Sequence, residues 1–333
     1  MTDNKACFFE TPPIIALSYE CDRDCFYCSA KGLKELRPGK IKTSEFNALL
    51  DWLACQGIYM AGLSGGEPTL HPKFNELIKL ASKKGFSLEI ATNNLFGENK
   101  RKAFEYGSIK SIAVHFDEPR FYSPKELGLF YQNLDFLSEL PVSLGLAHNI
   151  FSEKTSHDHI FEACQKYGIK KASMSIVTPG VLKQNYFVKI GEIDSLFQKI
   201  VSFAEQADGA GIEFELNNVL PRCAFSEAHL ECLEAKGLIK SKCLVHSEKF
   251  NPLIVIQPDL SANACSRTGI NRKNVFEFKS LRELKESMES EFEELRAEPL
   301  LEKCLDCKHW KKECQGGCLV YKDVKKNEKA NDK

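Results

Sequence analysis

The sequence has no run of about 18 uninterrupted apolar residues, which argues against a transmembrane helix. Its first residues, MTDNKACFFETPP, carry neither the basic start nor the long apolar stretch of a secretory signal. Net charge is also nearly absent. Lys and Arg number 45 against 46 Asp and Glu, a formal charge of −1, with a pI near 6.7. That balance gives no reason to expect a nucleic-acid or anionic-membrane surface. No internal repeat is visible beyond a strand–helix period. Together these absences lead us to expect a soluble, cytoplasmic chain with no membrane or nucleic-acid partner. At 333 residues and 43% hydrophobic content, it has material for one large domain, or one large and one small, around a buried core.

Cysteine is what the chain has in excess, with 14 in all. Without a secretion signal, so many thiols point to metal or catalytic use rather than disulfides. Three fall between positions 21 and 28, and four between 304 and 318. Cys7, Cys55 and Cys164 stand alone. The last two lie in helical patterns, where a cysteine is usually a small buried apolar residue.

Short apolar strands alternate with amphipathic helices. Strands are expected at 14–18, 58–64, 87–92, 109–116, 141–150 and 171–177, with a further one at 212–216. Helices are expected at 44–56, with Thr43 or Ser44 as N-cap, at 72–85, closed by Gly85, and at 191–208. Repeated alternation of this kind implies a parallel sheet with helices outside. The expected fold is α/β, a partial (β/α)6 TIM-like barrel with a small cysteine-rich C-terminal extension. Ligands in such folds sit at the C-terminal ends of the strands, where the glycine-rich and polar segments here fall. After about 216 the pattern changes. LIVIQPDLSANAC reads as a hairpin turning at Pro258–Asp259, and a charged helix is expected at 280–297. The division read from this is a barrel at 10–216, an extension at 217–320 and a disordered basic tail at 321–333.

Cys21, Cys25 and Cys28 follow the first strand with spacing C-x3-C-x2-C. Three thiolates on one loop can hold a cubane cluster and leave one iron open, whereas four would saturate it. Zinc would need a fourth ligand, and no His lies nearby in sequence. The segment LSYECDRDCFYCSAKG resembles the signature of the radical S-adenosylmethionine (SAM) superfamily, including an aromatic residue, Tyr27, before the last cysteine. The resemblance implies that SAM chelates the open iron of a 4Fe–4S cluster. Reductive cleavage would then give a 5′-deoxyadenosyl radical that abstracts a substrate hydrogen. SGGEP at 64–68 resembles the family's GGE motif, which implies that Gly65, Gly66 and Glu67 hold the SAM amino group. ATNN at 91–94 resembles a TNG-like segment and brings Asn93 to the site, with Asn94 in place of the usual glycine. AVHFDEP offers His115 or Asp117, and LAHNI offers His148 and Asn149 as ribose or substrate contacts. IVTPG at 176–180 resembles a segment passing beneath the adenine. His157 and His159, at a helix start, read as solvated.

The C-terminal block reads C-x2-C-x6-C-x3-C over Cys304, Cys307, Cys314 and Cys318, which by spacing alone suits a metal, zinc included. With Cys243 and Cys265 upstream, it resembles the SPASM extension of radical SAM enzymes, which carries auxiliary 4Fe–4S clusters. Three departures stand out. Leu260 takes the place of a glycine, one spacer is six rather than five, and the family's final cysteine is missing. The resemblance then implies one or two auxiliary clusters. One on Cys304, Cys307 and Cys314 is short of its last ligand. The other would use Cys243, Cys265 and Cys318, with Cys223 as an added fourth. Cys223 and Cys232 bring the C-terminal count to eight.

The function expected from this resemblance is a radical SAM enzyme that modifies a peptide or protein. Its partners are the substrate and an electron donor such as flavodoxin or ferredoxin. Two alternatives remain at this level. One is action on a small molecule such as a sugar, nucleotide or cofactor precursor. It suits a barrel that starts near residue 14, with no peptide-binding segment ahead of it. The other is a noncatalytic iron–sulfur or zinc protein. No residue stands out as a catalytic acid or base.

Overall fold

The computed structural model describes residues 12–239, 252–265, 271–272 and 274–321. Cys7, Cys243 and the expected tail beyond 321 lie outside them. Seven strands run parallel and in chain order: β1 (Ile14–Ala16), β2 (Met60–Ser64), β3 (Ser87–Thr92), β4 (Ile109–His115), β5 (Ser143–Ile150), β6 (Lys171–Ile176) and β7 (Glu213–Leu216). The further strand expected at 212–216 is present as β7, the seventh in the parallel series. The sheet also continues past β1. β8 (Ile254–Ile256) pairs with β1 in parallel, and β9 (Ala262–Ala264) and β10 (Asn271–Arg272) follow antiparallel. The hairpin reverses at Pro258–Asp259 as expected, and it is joined to the barrel sheet rather than standing apart.

Between and after the strands lie the helices α1 (Leu33–Leu36), α2 (Thr43–Ala54), α3 (Phe74–Lys83), α4 (Arg101–Phe104), α5 (Pro124–Ser138), α6 (Asp158–Tyr167), α7 (Phe197–Gly209) and α8 (Glu227–Ala235). On α3, Phe74, Leu77, Ile78 and Ala81 share one face at helical spacing, and all are buried. Neither Thr43 nor Ser44 caps α2. Lys42 holds the N-cap, and its backbone N–H donates to the Glu45 carboxylate at 2.9 Å. Cys55 falls just past the last turn of α2 and is exposed, against expectation, whereas Cys164 on α6 is buried. The charged helix is two, α9 (Leu281–Glu286) and α10 (Glu289–Ala297). Arg272 of β10 reaches the break between them, donating to Ser287 Oγ at 3.1 Å and to the Ser287 carbonyl.

The two faces of the parallel strands differ in kind. Leu88 and Ile90 of β3, and Ile112 and Val114 of β4, are buried under the helices. The alternate positions are small or polar. In register they run Ala91, Ala113 and Gly145, then His115 and Ala147, then Asn149 and Ser175. Side chains alternate faces along a strand, so these line the concave side. Bulky branched residues fill the interior of a closed eight-stranded barrel. Here their absence leaves the concave side accessible to a ligand.

Candidate active site

The cysteine loop, residues 21–28, hangs from the C-terminal end of β1 and packs onto the loop after β2. Gly66 and Glu67 donate backbone N–H groups to the carbonyls of Ser18 and Glu20 at 2.8 and 2.7 Å. There is no room for side chains between the two segments. A Cβ on Gly65 would stand 2.1 Å from the Ser18 carbonyl oxygen, and one on Gly66 would stand 2.2 Å from that of Glu20. Gly65 also has φ +127°, a conformation L side chains rarely adopt. On the other side of the loop, a Cβ on Gly180 would meet the Ser29 carbonyl oxygen at 2.3 Å. The loop carrying the thiols is clamped between two glycine-containing turns.

Glu67 is 1% exposed and ties the ends of β2 and β3 together. Its Oε1 accepts from the Thr69 N–H (3.0 Å), the Thr69 hydroxyl (2.6 Å) and the Thr92 hydroxyl (2.9 Å). Its Oε2 accepts from the Asn93 N–H at 2.7 Å. Burial raises its pKa, and these donors oppose that rise. The Asn93 amide nitrogen donates to Asp22 at 2.6 Å and lies 3.8 Å from Cys21 Sγ. Asn94, in place of the usual glycine, has φ +64°. Asn tolerates the left-handed region better than most residues. Its side chain also donates to the Phe130 carbonyl at 2.8 Å.

Asp117, just past β4, faces the cysteine loop. It is 2% exposed and accepts from Arg23 Nη2 at 3.1 Å, from His115 Nε2 at 3.1 Å and from the Tyr27 hydroxyl. Burial alone would raise its pKa. His115, Tyr27 and Arg23 outweigh it and hold the carboxyl well below the usual carboxylate range. Burial, with the Asp117 charge second, raises Tyr27, so its phenol stays a neutral donor. Arg23 Cζ also lies over the Tyr122 ring, 3.9 Å from its centroid. Asn185 supports the loop from below. Its side chain donates to the Tyr27 and Thr178 carbonyls at 3.0 Å and to the Tyr186 carbonyl at 2.9 Å, and accepts from Gly180 N–H at 2.8 Å.

These elements enclose one cavity of about 400 Å³ at the C-terminal ends of the strands. Cys21, Cys25, Cys28, Tyr27, Gly66, Glu67 and Asn93 all line it. Asn149, Ser175 and the 176–178 segment close the far side. Gly65 and Asp117 support the wall from behind. His148 does not reach this cavity. It points to the other face of β5, where its Nδ1 meets the Phe116 carbonyl at 3.2 Å. His157 and His159, expected to be solvated, are each 5% exposed. His157 packs on Phe203, and His159 lies across Phe116 with its Nε2 3.3 Å from the Phe116 carbonyl. Arg23 and Asn185 were not singled out in the sequence, because nothing local marks either as facing the thiols.

The residues suit an iron–sulfur cluster. Three soft thiols on one loop form the donor set, and Arg23 Nε and Nη1 are buried beside them without a partner. A guanidinium there offsets the charge of thiolates. Among the described residues, no three His, Cys, Asp or Glu side chains converge on a point as a single metal ion requires. Thiolates on separate corners of a cubane need not converge.

Near the C-terminal end of the described chain, Cys304, Cys307 and Cys314 line a second cavity of about 240 Å³. Cys223 lines the same cavity, whereas the sequence had grouped it with Cys243, which lies outside the described residues, and with Cys265 and Cys318. Leu260, at the position of the missing glycine, has φ +63° and is 7% exposed.

Fold and site together define a parallel α/β barrel whose strand ends carry a three-cysteine loop beside a GGE turn. The superfamily model described as Radical SAM matches residues 15–190, and the chain belongs to the radical SAM superfamily. This family uses a 4Fe–4S cluster and SAM. The mycofactocin maturase MftC of Mycobacterium tuberculosis (strain ATCC 25618 / H37Rv) is 30% identical over 80 residues, 24% of this chain and 20% of that protein. The PqqA peptide cyclase of Gluconobacter oxydans is 27% identical over 112 residues, 32% of this chain and 31% of the cyclase. This chain thus matches less than a third of either relative's length. The fold extends further. Streptococcus suis SuiB, solved bound to its precursor peptide SuiA, superposes with a TM-score of 0.65 at 15% identity, over 93% of this chain and 72% of SuiB. The enzyme anSMEcpe, solved with bound AdoMet, gives 0.66 at 17% identity, over 92% of this chain and 89% of its own. Among the described residues no helix is long and apolar enough to cross a membrane.

Proposed function

We propose that this chain is a radical SAM enzyme that modifies a peptide or protein, with Cys21, Cys25 and Cys28 as ligands of its catalytic 4Fe–4S cluster. One observation carries the reading. The three thiols line a single cavity with Gly66, Glu67 and Asn93, on an accessible concave sheet. When bound there, the cluster and SAM supply one-electron chemistry that abstracts hydrogen from a substrate carbon. The chain's own residues do the positioning. Gly65, Gly66 and Gly180 let the cysteine loop seat closely. Asp117, with Arg23 and Tyr27, holds that loop against β4. Glu67 fixes the ends of β2 and β3, and Asn93 stands beside Cys21. Asn149, Ser175 and the 176–178 backbone present polar groups to a nucleoside. The names of MftC and the PqqA cyclase, and the peptide bound to SuiB, support a peptide substrate. A low-potential donor such as flavodoxin or ferredoxin would supply the electron.

A small-molecule substrate is the second reading. A probable GTP 3′,8-cyclase of Thermococcus kodakarensis is 30% identical over 110 residues, and its named substrate is a nucleotide. The test is anaerobic reconstitution with iron, sulfide, SAM and reductant, followed by assay of 5′-deoxyadenosine. The expected result is product from the parent and none from a Cys21→Ala, Cys25→Ala, Cys28→Ala variant. A fully loaded parent that forms no 5′-deoxyadenosine overturns the enzyme reading. Deuterium carried from a labelled candidate peptide into 5′-deoxyadenosine separates the two substrate classes.

A further inference from the structure

We infer that Cys223 is the fourth protein ligand of an auxiliary iron–sulfur cluster held by Cys304, Cys307 and Cys314. The sequence resemblance leaves that trio without its last cysteine and assigns Cys223 elsewhere. The tertiary structure brings Cys223 to the trio.

The placement is built by packing. Cys223 sits on the short turn Arg222–Ala224, which follows β7. Gly316 and Gly317 have φ +80° and +86°, which reverses the chain just past Cys314. That reversal presses Gly317 against Pro221. A Cβ on Gly317 would stand 2.6 Å from Pro221 Cδ and 2.9 Å from its nitrogen, so only glycine lets the two segments meet. The Cys223 turn and the cysteine block are thereby locked together. Within the block, the Cys307 N–H donates to the Cys304 carbonyl at 3.2 Å, and the Cys314 N–H to the His309 carbonyl at 3.0 Å. The Gly316 N–H points at Cys314 Sγ at 3.3 Å, a donor that favours a thiolate.

The four thiols line one cavity of about 240 Å³. Together they supply the donor set of a four-cysteine cluster site, and metal analysis distinguishes iron from zinc there. Four protein thiolates leave no open iron. This second centre is closed to substrate and suited to passing electrons, unlike the three-cysteine centre in the barrel. The inference does not depend on which substrate the enzyme takes.

The test uses the full chain with Cys21, Cys25 and Cys28 replaced by Ala, so that only auxiliary iron remains. After anaerobic reconstitution, iron and sulfide per chain are measured, with electron paramagnetic resonance of the reduced form. Adding Cys223→Ala is expected to remove about one cluster's iron and sulfide, or to leave a cluster whose signal shifts with added imidazole. Adding Cys232→Ala, on the neighbouring helix, should change neither reading. Unchanged iron, sulfide and signal in Cys223→Ala, with no response to imidazole, overturns the inference. So does a parent that holds zinc in place of iron at this site. If Cys223→Ala aggregates, alkylation of the unsubstituted chain decides. Cys223 should be protected when loaded and modified after iron chelation. Modification of Cys223 while full iron is retained overturns the assignment.

Discussion

Arg23 Nη2 lies 3.1 Å from Asp117 Oδ2, and the two side chains are 8% and 3% exposed. The pair links the middle of the cysteine loop to the end of β4. Breaking a buried ion pair from one side leaves the other charge uncompensated, which costs more than the pair contributes. Asp117→Asn is expected to destabilise the fold by about 3 kcal/mol. It should also lower iron retained on the barrel cluster. Urea unfolding and iron analysis check both. An unchanged midpoint with full iron would remove Asp117 from this role.

Gly66 tests the seating of the loop. Its Cβ position is 2.2 Å from a backbone oxygen, which cannot rotate away. Gly66→Ala must displace the Glu20 segment and with it Cys21. We expect at least a tenfold loss of 5′-deoxyadenosine formation, with the circular dichroism of the barrel retained. Gly85→Ala is the control. Its Cβ meets nothing within 4 Å, although φ +75° makes it mildly strained. Equal activity losses in the two variants would contradict the close-approach argument.

His148 predicts a pH dependence of stability. Burial first, and then His159, push its pKa down to about 3. In the unfolded chain it titrates near 6.5. The unfolded state therefore binds the extra proton between these values. Stability from this group is intact above about pH 6.5 and falls as pH drops toward 3, by up to about 1.4 kcal/mol per pH unit. Thermal unfolding at pH 7 and pH 5 should show a smaller decrease for His148→Gln than for the parent. Equal decreases would mean that His148 is not held neutral.

Leu260 predicts an inverted order of substitutions. It pairs a left-handed φ with a buried side chain. Removing the side chain costs about 2 kcal/mol or more of burial. Glycine recovers about 1 kcal/mol of backbone strain that alanine cannot. Leu260→Gly should therefore be less destabilising than Leu260→Ala, the reverse of the usual ranking. Denaturant midpoints of the two variants check the order.

The sequence alone determined whatever depends on short spacing. The βα alternation follows from apolar periodicity, and each helix buries its own stripe. Cys21, Cys25 and Cys28 share one loop, so their spacing already placed them together. The GGE turn needs its glycines for local close approach. Leu260 and Asn94 were visible as departures from glycine, but their positive φ values were not. Tertiary structure decided whatever joins distant segments. It set Asp117 on Arg23, put Asn149 in the cavity and His148 on the opposite face, and buried His157 and His159 under α7 and Phe116. It also brought Cys223 from the end of the barrel to Cys304, Cys307 and Cys314. Composition and spacing carry no record of which turn packs on which. That contact depends on Gly317 meeting Pro221, and only the folded chain brings them together.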